Sequence, residues 1–164
     1  MKAIFFDRDN TLIKDKNYMH KVEDLDFYED SFTALRTISD KGFTLFIITN
    51  QSGVGRGYFS EKDMHLFHEA MLKRFADQGI EFRDLKFCPH SPDDGCDCRK
   101  PSPKLINECI SKYDINTTQS WMIGDKVIDA QCGEAAGIGG VTLNCKIKSK
   151  FTNFQSLTEF AESL

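Results

Sequence analysis

Three short apolar runs in this chain break off abruptly at polar residues, and that pattern narrows the folds open to it. Ile4-Phe5-Phe6 gives way to Asp7-Arg8-Asp9-Asn10-Thr11, Phe43–Ile48 to Thr49-Asn50-Gln51-Ser52-Gly53, and Ser120–Ile123 to Gly124-Asp125-Lys126. Continuous runs rich in Ile and Phe, rather than alternating ones, read as strands buried on both faces, as in parallel sheets. Segments of helical periodicity lie between them. Ser31 is expected to cap a helix over Phe32–Lys41 that Gly42 stops. Ser60 is expected to cap another, with Met64, Phe67, Met71 and Phe75 on its apolar face, and Ser102-Pro103 reads as an N-cap followed by a first-turn proline. Asp84–Phe87 and Gly140–Leu143 add two strands, Gly137 closes the helix after Gly124, and Ser156–Leu164 forms a last short helix. Strand-helix alternation of this kind predicts an α/β fold: one doubly wound, Rossmann-like domain over residues 1–164 with a mainly parallel sheet. His65 and His68 are read as exposed histidines of the second helix.

In such a sheet, ligands bind just beyond the carboxyl ends of the strands, where all three polar clusters fall. Asp7 and Asp9 are nearly side by side, and two like charges that close need a cation, a proton or strong donors between them. The carboxylates of Asp7 and Asp125, with a backbone oxygen of Asp9 and waters, suit Mg²⁺, which prefers oxygen ligands. Thr49, the amide of Asn50 and the Lys100 ammonium offer donors for a phosphate. Asp129, four residues beyond Asp125, reads either as a helper of that metal site or as an exposed helix charge.

The second cluster is Cys88-Pro89-His90…Cys96-Asp97-Cys98. Three thiolates and an imidazole match a closed, structural Zn²⁺ site with no open position for a catalytic water. Metal binding there would contribute about 10 kcal/mol or more to ordering the loop. That loop delivers Arg99 and Lys100. Cys109, Cys132 and Cys145 read as ordinary thiols.

Composition limits the partners. A net charge of −4 over 164 residues gives no general attraction to nucleic acid or anionic membrane. No apolar stretch approaches the roughly 18 residues of a membrane span, and Met1-Lys2-Ala3 leads straight into a strand. The expectation is a cytoplasmic, monomeric protein whose partner is a small phosphorylated metabolite.

Asp7-Arg8-Asp9-Asn10-Thr11, Thr49-Asn50, Lys100 and Gly124-Asp125-Lys126-Val127-Ile128-Asp129 resemble, in order, the four motifs of the haloacid dehalogenase-like phosphatases. The resemblance covers Ala3 to about Leu143. It implies Asp7 as nucleophile, Asp9 as acid and then base, Thr49 and Lys100 as holders of the phosphoryl oxygens, and Mg²⁺ at Asp7, Asp9 and Asp125. The zinc loop resembles the branch containing heptose-bisphosphate and histidinol-phosphate phosphatases, which lack a large cap domain. That branch implies substrate contacts at Asp15–Tyr18, at Thr49–Ser52 including Gln51 and Ser52, and at Arg99 and Lys126.

Thr49–Gly57, and Asp15…Tyr18…His20 followed by Asp26-Phe27, resemble loops of the heptose-bisphosphate enzymes and so imply a sugar bisphosphate first, whereas the short His90–Cys96 spacer resembles that of histidinol-phosphate phosphatases and implies that ester or another small monoester as the alternative. Asn10 stands where the family usually has Gly, in a turn that Asn tolerates. Two other readings use the same residues: a phospho-accepting receiver domain and a non-catalytic, zinc-stabilised domain. The absence of a zinc loop from receivers, and their later phospho-accepting strand, count against the first.

Overall fold

A computed structural model describes the whole chain, Met1–Leu164. Six parallel strands form its single sheet: β1 (Ala3–Phe6), β2 (Thr44–Asn50), β3 (Phe82–Cys88), β4 (Trp121–Gly124), β5 (Gly139–Leu143) and β6 (Asn153–Phe154), in the order β3-β2-β1-β4-β5-β6. Every pairing is parallel. The helices are α1 (Glu29–Asp40), α2 (Ser52–Gly55), α3 (Glu61–Ala76), α4 (Lys104–Tyr113), α5 (Val127–Ala135) and α6 (Leu157–Ser163). The strand order turns around at β1, so the switch point lies between β1 and β4, where an open α/β sheet forms its crevice.

Side-chain alternation sends the strands' apolar residues into two cores. Ile4, Phe6, Leu45, Ile47 and Ile123 pack under α1, α3 and α6, whereas Phe5, Phe46, Ile48 and Met122 pack under α4 and α5. Ile4, Phe5 and Phe6 are fully buried, each worth about 1.5–3 kcal/mol relative to exposure. The resulting α/β sandwich is the doubly wound architecture expected, with the whole sheet parallel and β6 added at its edge. No helix is long and apolar enough to cross a membrane.

Two helix starts differ from expectation. Helix α1 begins at Glu29, because Ser31 turns its hydroxyl into the core to donate to the Leu12 carbonyl, 3.2 Å away. Glu29 and Asp30 instead supply acidic charge at the positive end of the helix. Helix α4 begins at Lys104, with Pro103 in the cap position and the Ser102 hydroxyl donating to the Asp97 carbonyl. At Ser60 the expected cap forms with a reciprocal partner: its hydroxyl accepts from the Asp63 amide while the Asp63 carboxylate accepts from the Ser60 amide. The Gln51–Gly57 loop is less open than its glycines suggest, since it contains α2. The Gly55 amide donates to the Pro89 carbonyl at 2.7 Å, and a Cβ on Gly55 would press on the backbone of Pro89 and Ser91.

His68 is also not where the sequence pattern put it. The buried stripe of α3 is one residue wider than its apolar positions and takes in His68 beside Met64, Phe67, Met71 and Phe75. Burial, and then the neighbouring Arg8 charge, push its pKa down to about 2. The folded chain therefore holds a neutral imidazole, whereas the unfolded chain protonates it near the ordinary 6.5. With the folded value depressed, this stabilising difference is complete above about pH 6.5 and is lost as the pH falls toward about 2. Urea unfolding followed from about pH 7.5 to 5 should lose up to about 1.4 kcal/mol per pH unit from this group below pH 6.5. The His68→Gln variant should show a correspondingly shallower decline; parallel curves would contradict a buried neutral His68.

Candidate active site

The carboxyl ends of β1, β2 and β4 bring four charged side chains together. Asp7 follows β1 directly and its amide donates to the Ile123 carbonyl of β4, which fixes it at the centre of the crevice. Lys100 reaches the same point from the segment before α4. Its ammonium lies 2.6 Å from Asp7 Oδ1 and 2.6 Å from Asp129 Oδ1, and donates to the Ile48 carbonyl at 2.9 Å. All three of its donors are thereby used, and the residue is 3% exposed. Burial alone would depress this ammonium, but Asp129 and Asp7 outweigh it and hold its pKa above the ordinary lysine value.

Asp129 is the carboxylate whose place the sequence left open between two readings. It is 1% exposed, so it is not a solvated helix charge. Its second oxygen accepts from the Lys126 amide at 3.0 Å, capping α5. The close fit requires Gly124: a Cβ there would overlap the Asp129 carboxylate. Burial raises the Asp129 pKa despite Lys100.

Carboxylate oxygens of Asp7, Asp125 and Asp129 all lie within 4.8 Å of one another. Asp125 Oδ1 is buried and has no hydrogen-bond partner, while burial and then Asp7 push its pKa up to about 6. Three crowded carboxylates, one of them with an orphaned oxygen, against a single ammonium make a donor set of the hard, anionic kind that Mg²⁺ takes. The residues present fit that ion.

The Asp9 side chain is engaged elsewhere. Its Oδ1 accepts from Arg8 Nε at 2.9 Å, and its Oδ2 accepts from Arg8 Nη2 at 3.0 Å and from Gln51 Nε2 at 2.9 Å. Its pKa is raised by burial, against the opposing pull of Arg8. The turn that carries it tolerates Asn10 at φ 57°. Gln51, expected to touch substrate, is 4% exposed and donates both amide hydrogens inward, to Asp9 and to the Thr49 hydroxyl at 2.9 Å. Thr49 is 1% exposed at the end of β2. The Asn50 side chain clasps the backbone of Lys100, accepting from its amide at 3.0 Å and donating to its carbonyl at 3.3 Å.

Asp7, Asp9, Asn50, Lys100 and Asp129 floor a cleft of about 310 Å³. Asp15, Asn17 and Tyr18 of the Asp15–Tyr18 segment line it, with Gln51, Ser52, Arg99 and Lys126, as the sequence suggested, and Gly53 and Ile128 join them. Arg99 is half-buried and donates to the His90 carbonyl at 3.4 Å. Lys126, Asp15 and Tyr18 are exposed at the rim.

Cys88, His90, Cys96 and Cys98 form the second constellation. Their donor atoms converge within 4.8 Å, with Cys88 Sγ 3.6 Å from Cys96 Sγ and His90 Nδ1 3.5 Å from Cys88 Sγ and 3.3 Å from Cys98 Sγ. Cys88 and Cys98 are 3.0 Å apart, and all six cysteines are free thiols. Burial, with the Cys98 hydrogen bond, pushes the Cys88 thiol up to about 12. A soft divalent cation reverses that by stabilising thiolates, and the Cys₃His donor set is compatible with zinc. The Gln51 amide donates to the Cys88 carbonyl at 2.8 Å, tying this loop to the catalytic one.

Residues 2–163 match the sequence profile described as polynucleotide kinase 3 phosphatase. The chain is 38% identical over 161 residues to the D-glycero-alpha-D-manno-heptose-1,7-bisphosphate 7-phosphatase of Campylobacter jejuni, covering 96% of this chain and 92% of that one. It is 39% identical over 145 residues to the enzyme of the same name from Photorhabdus laumondii, covering 84% and 79%. Its fold is similar to the solved structure of D,D-heptose 1,7-bisphosphate phosphatase from B. bronchiseptica complexed with magnesium and phosphate. That match has a TM-score of 0.86 at 26% identity over 99% of this chain and 97% of that one. With the motif residues gathered at one sheet edge and a family match along nearly its whole length, the chain belongs to the polynucleotide kinase 3 phosphatase family of haloacid dehalogenase-like phosphatases.

Proposed function

We propose that this phosphatase removes the 7-phosphate of D-glycero-D-manno-heptose 1,7-bisphosphate through an aspartyl-phosphate on Asp7. One observation carries the reaction: three clustered carboxylates meet a buried ammonium, and two of them, Asp7 and Asp129, open with Lys100 into a cleft that Arg99 and Lys126 also line. The names of the relatives support the substrate. The family profile is named for a polynucleotide phosphatase, but a chain of net charge −4 with acidic groups in its cleft has no general attraction to a phosphate backbone. A small metabolite suits it better.

Asp7 attacks phosphorus, and the bond to the sugar oxygen breaks. Asp9, whose burial favours the protonated acid, gives its proton to that leaving oxygen. Asp9 then takes a proton from the water that hydrolyses the aspartyl-phosphate. Lys100 and the Thr49 hydroxyl hold phosphoryl oxygens. The carboxylates of Asp7 and Asp125 and the backbone oxygen of Asp9 would hold Mg²⁺, with Asp129 beside them. When bound, the ion supplies positive charge for the phosphoryl oxygens in the transition state. Splitting a very slow hydrolysis into two displacements is the gain from a carboxylate nucleophile. Arg99, with its planar fork, suits the phosphate that does not react. Cys88, His90, Cys96 and Cys98 would hold Zn²⁺ and stiffen the segment that presents Arg99 and Lys100.

With Mg²⁺ present, kcat/KM for heptose 1,7-bisphosphate should exceed that for histidinol phosphate by about 100-fold or more, the scale on which unpaired polar contacts discriminate. The reverse preference would replace the substrate and keep the reaction. Asp7→Asn should reduce steady phosphate release to background; continued turnover would exclude the aspartyl-phosphate route. Removing zinc, or substituting Cys88→Ala, should lower activity even in excess Mg²⁺ and speed proteolysis within residues 88–100. Full activity in a protein with less than about 0.1 zinc per chain would exclude that role for the loop.

A further inference from the structure

Arg8 sits between the two motif aspartates, yet its side chain runs away from the cleft into the core beneath α3. It is 1% exposed. A guanidinium has five N–H donors, and here each has a partner. Nε and one Nη2 hydrogen go to the two oxygens of Asp9 at 2.9 and 3.0 Å, and the other Nη2 hydrogen goes to Gln51 Oε1 at 3.0 Å. The two Nη1 hydrogens go to Met64 Sδ at 3.2 Å and His68 Nε2 at 3.0 Å. The group also lies 4.8 Å from the Phe67 ring centroid. Met64, Phe67 and His68 belong to one stretch of α3, so the far edge of the guanidinium is fixed by that helix and its near edge grips Asp9.

The tautomer of His68 follows from this arrangement. Arginine can only donate, so Nε2 must accept and the ring hydrogen must sit on Nδ1. That Nδ1 is buried and has no partner. An unpaired buried donor is a cost, and an apolar residue at the same place on α3 would avoid it. What the imidazole supplies, and an apolar residue would not, is the acceptor that sets the rotation of Arg8.

We infer that His68 is a positioning residue: through Arg8 it holds the Asp9 carboxylate in register for proton transfer to the leaving group. The inference rests on the reading of Asp9 as the acid and base of the reaction. It makes α3, which lends no side chain to the cleft, part of the catalytic apparatus. Gln51 closes the ring, since it accepts from Arg8 and donates to both Asp9 and Thr49.

The test uses leaving groups. An alkyl phosphate needs a proton on its departing oxygen, whereas p-nitrophenolate leaves without one, and kcat/KM reports events through that departure. In His68→Leu, kcat/KM for the sugar phosphate should fall about 10- to 100-fold, as expected for a misplaced proton donor. The loss for p-nitrophenyl phosphate should be less than about threefold, with the decline in kcat rather than KM. His68→Gln, which restores an acceptor, should recover most of the difference. Equal losses on both esters, or none, would overturn the inference. Should His68→Leu not fold, Arg8→Lys, which keeps the charge and loses the fork, must show the same selective loss. Asp9→Asn is the control: if it lacks leaving-group selectivity, the role of Asp9 is at fault and not its support.

Discussion

The Lys100 ammonium, buried between Asp7 and Asp129, is the contact on which the rest of the site depends. Removing charge from water is costly, and one uncompensated charge here would be worse than none. Asp7 and Asp129 meet that cost from opposite sides, one from the end of β1 and the other from the first turn of α5. The Ile48 carbonyl of β2 takes the third donor. One nitrogen thus joins three elements at the switch point of the sheet. Because the ammonium already neutralises one of three carboxylates, the cluster keeps a net negative charge for a divalent cation without being driven apart in its absence.

Such a cation-and-carboxylate centre works only if Lys100 arrives at a fixed position, and a long flexible side chain does not ensure that. The backbone does. Asn50 clasps the amide and carbonyl of Lys100, while the Cys88–Cys98 loop fixes the residues just before it. Cys88 is the last residue of β3, and its carbonyl receives the Gln51 amide. The loop is therefore anchored at its start both to the sheet and, through the Cys88 and Pro89 carbonyls, to the segment after β2.

Much of this was legible in the sequence, for a physical reason. Strands buried on both faces must be continuous apolar runs, so Ile4–Phe6, Phe43–Ile48 and Ser120–Ile123 announced a parallel sheet, and Asp7, Thr49 and Asp125 at their ends marked its working edge. The Cys/His spacing announced the second constellation in the same way. What was not legible is pairing across the fold. Asp129 looks like any helix carboxylate until Lys100 is seen beside it, although its spacing of four from Asp125 and the glycine at 124 were a partial signal. Arg8 and His68 gave no signal: neither a charge after a strand nor a histidine beside Phe67 says that the two will meet. Gln51 lines the cleft as its neighbours in sequence suggested, but nothing in the sequence says that its amide hydrogens go to Asp9 and Thr49.

That distribution has a consequence for how the chemistry and the specificity are separated in this fold. The motif residues at the sheet edge and the side chains that hold them are nearly all buried and cross-linked: Asp7, Thr49, Gln51, Lys100 and Asp129 are each at most 6% exposed. The residues at the rim, Asp15, Tyr18 and Lys126, are exposed and have few partners of their own. Changes at the rim alter what enters the cleft with little disturbance of the floor, since no hydrogen bond of Lys100 or Asp9 runs through them. Changes at the floor propagate, because each of its side chains is held by at least one other. A sheet edge built this way can keep one reaction while its loops come to accept different esters.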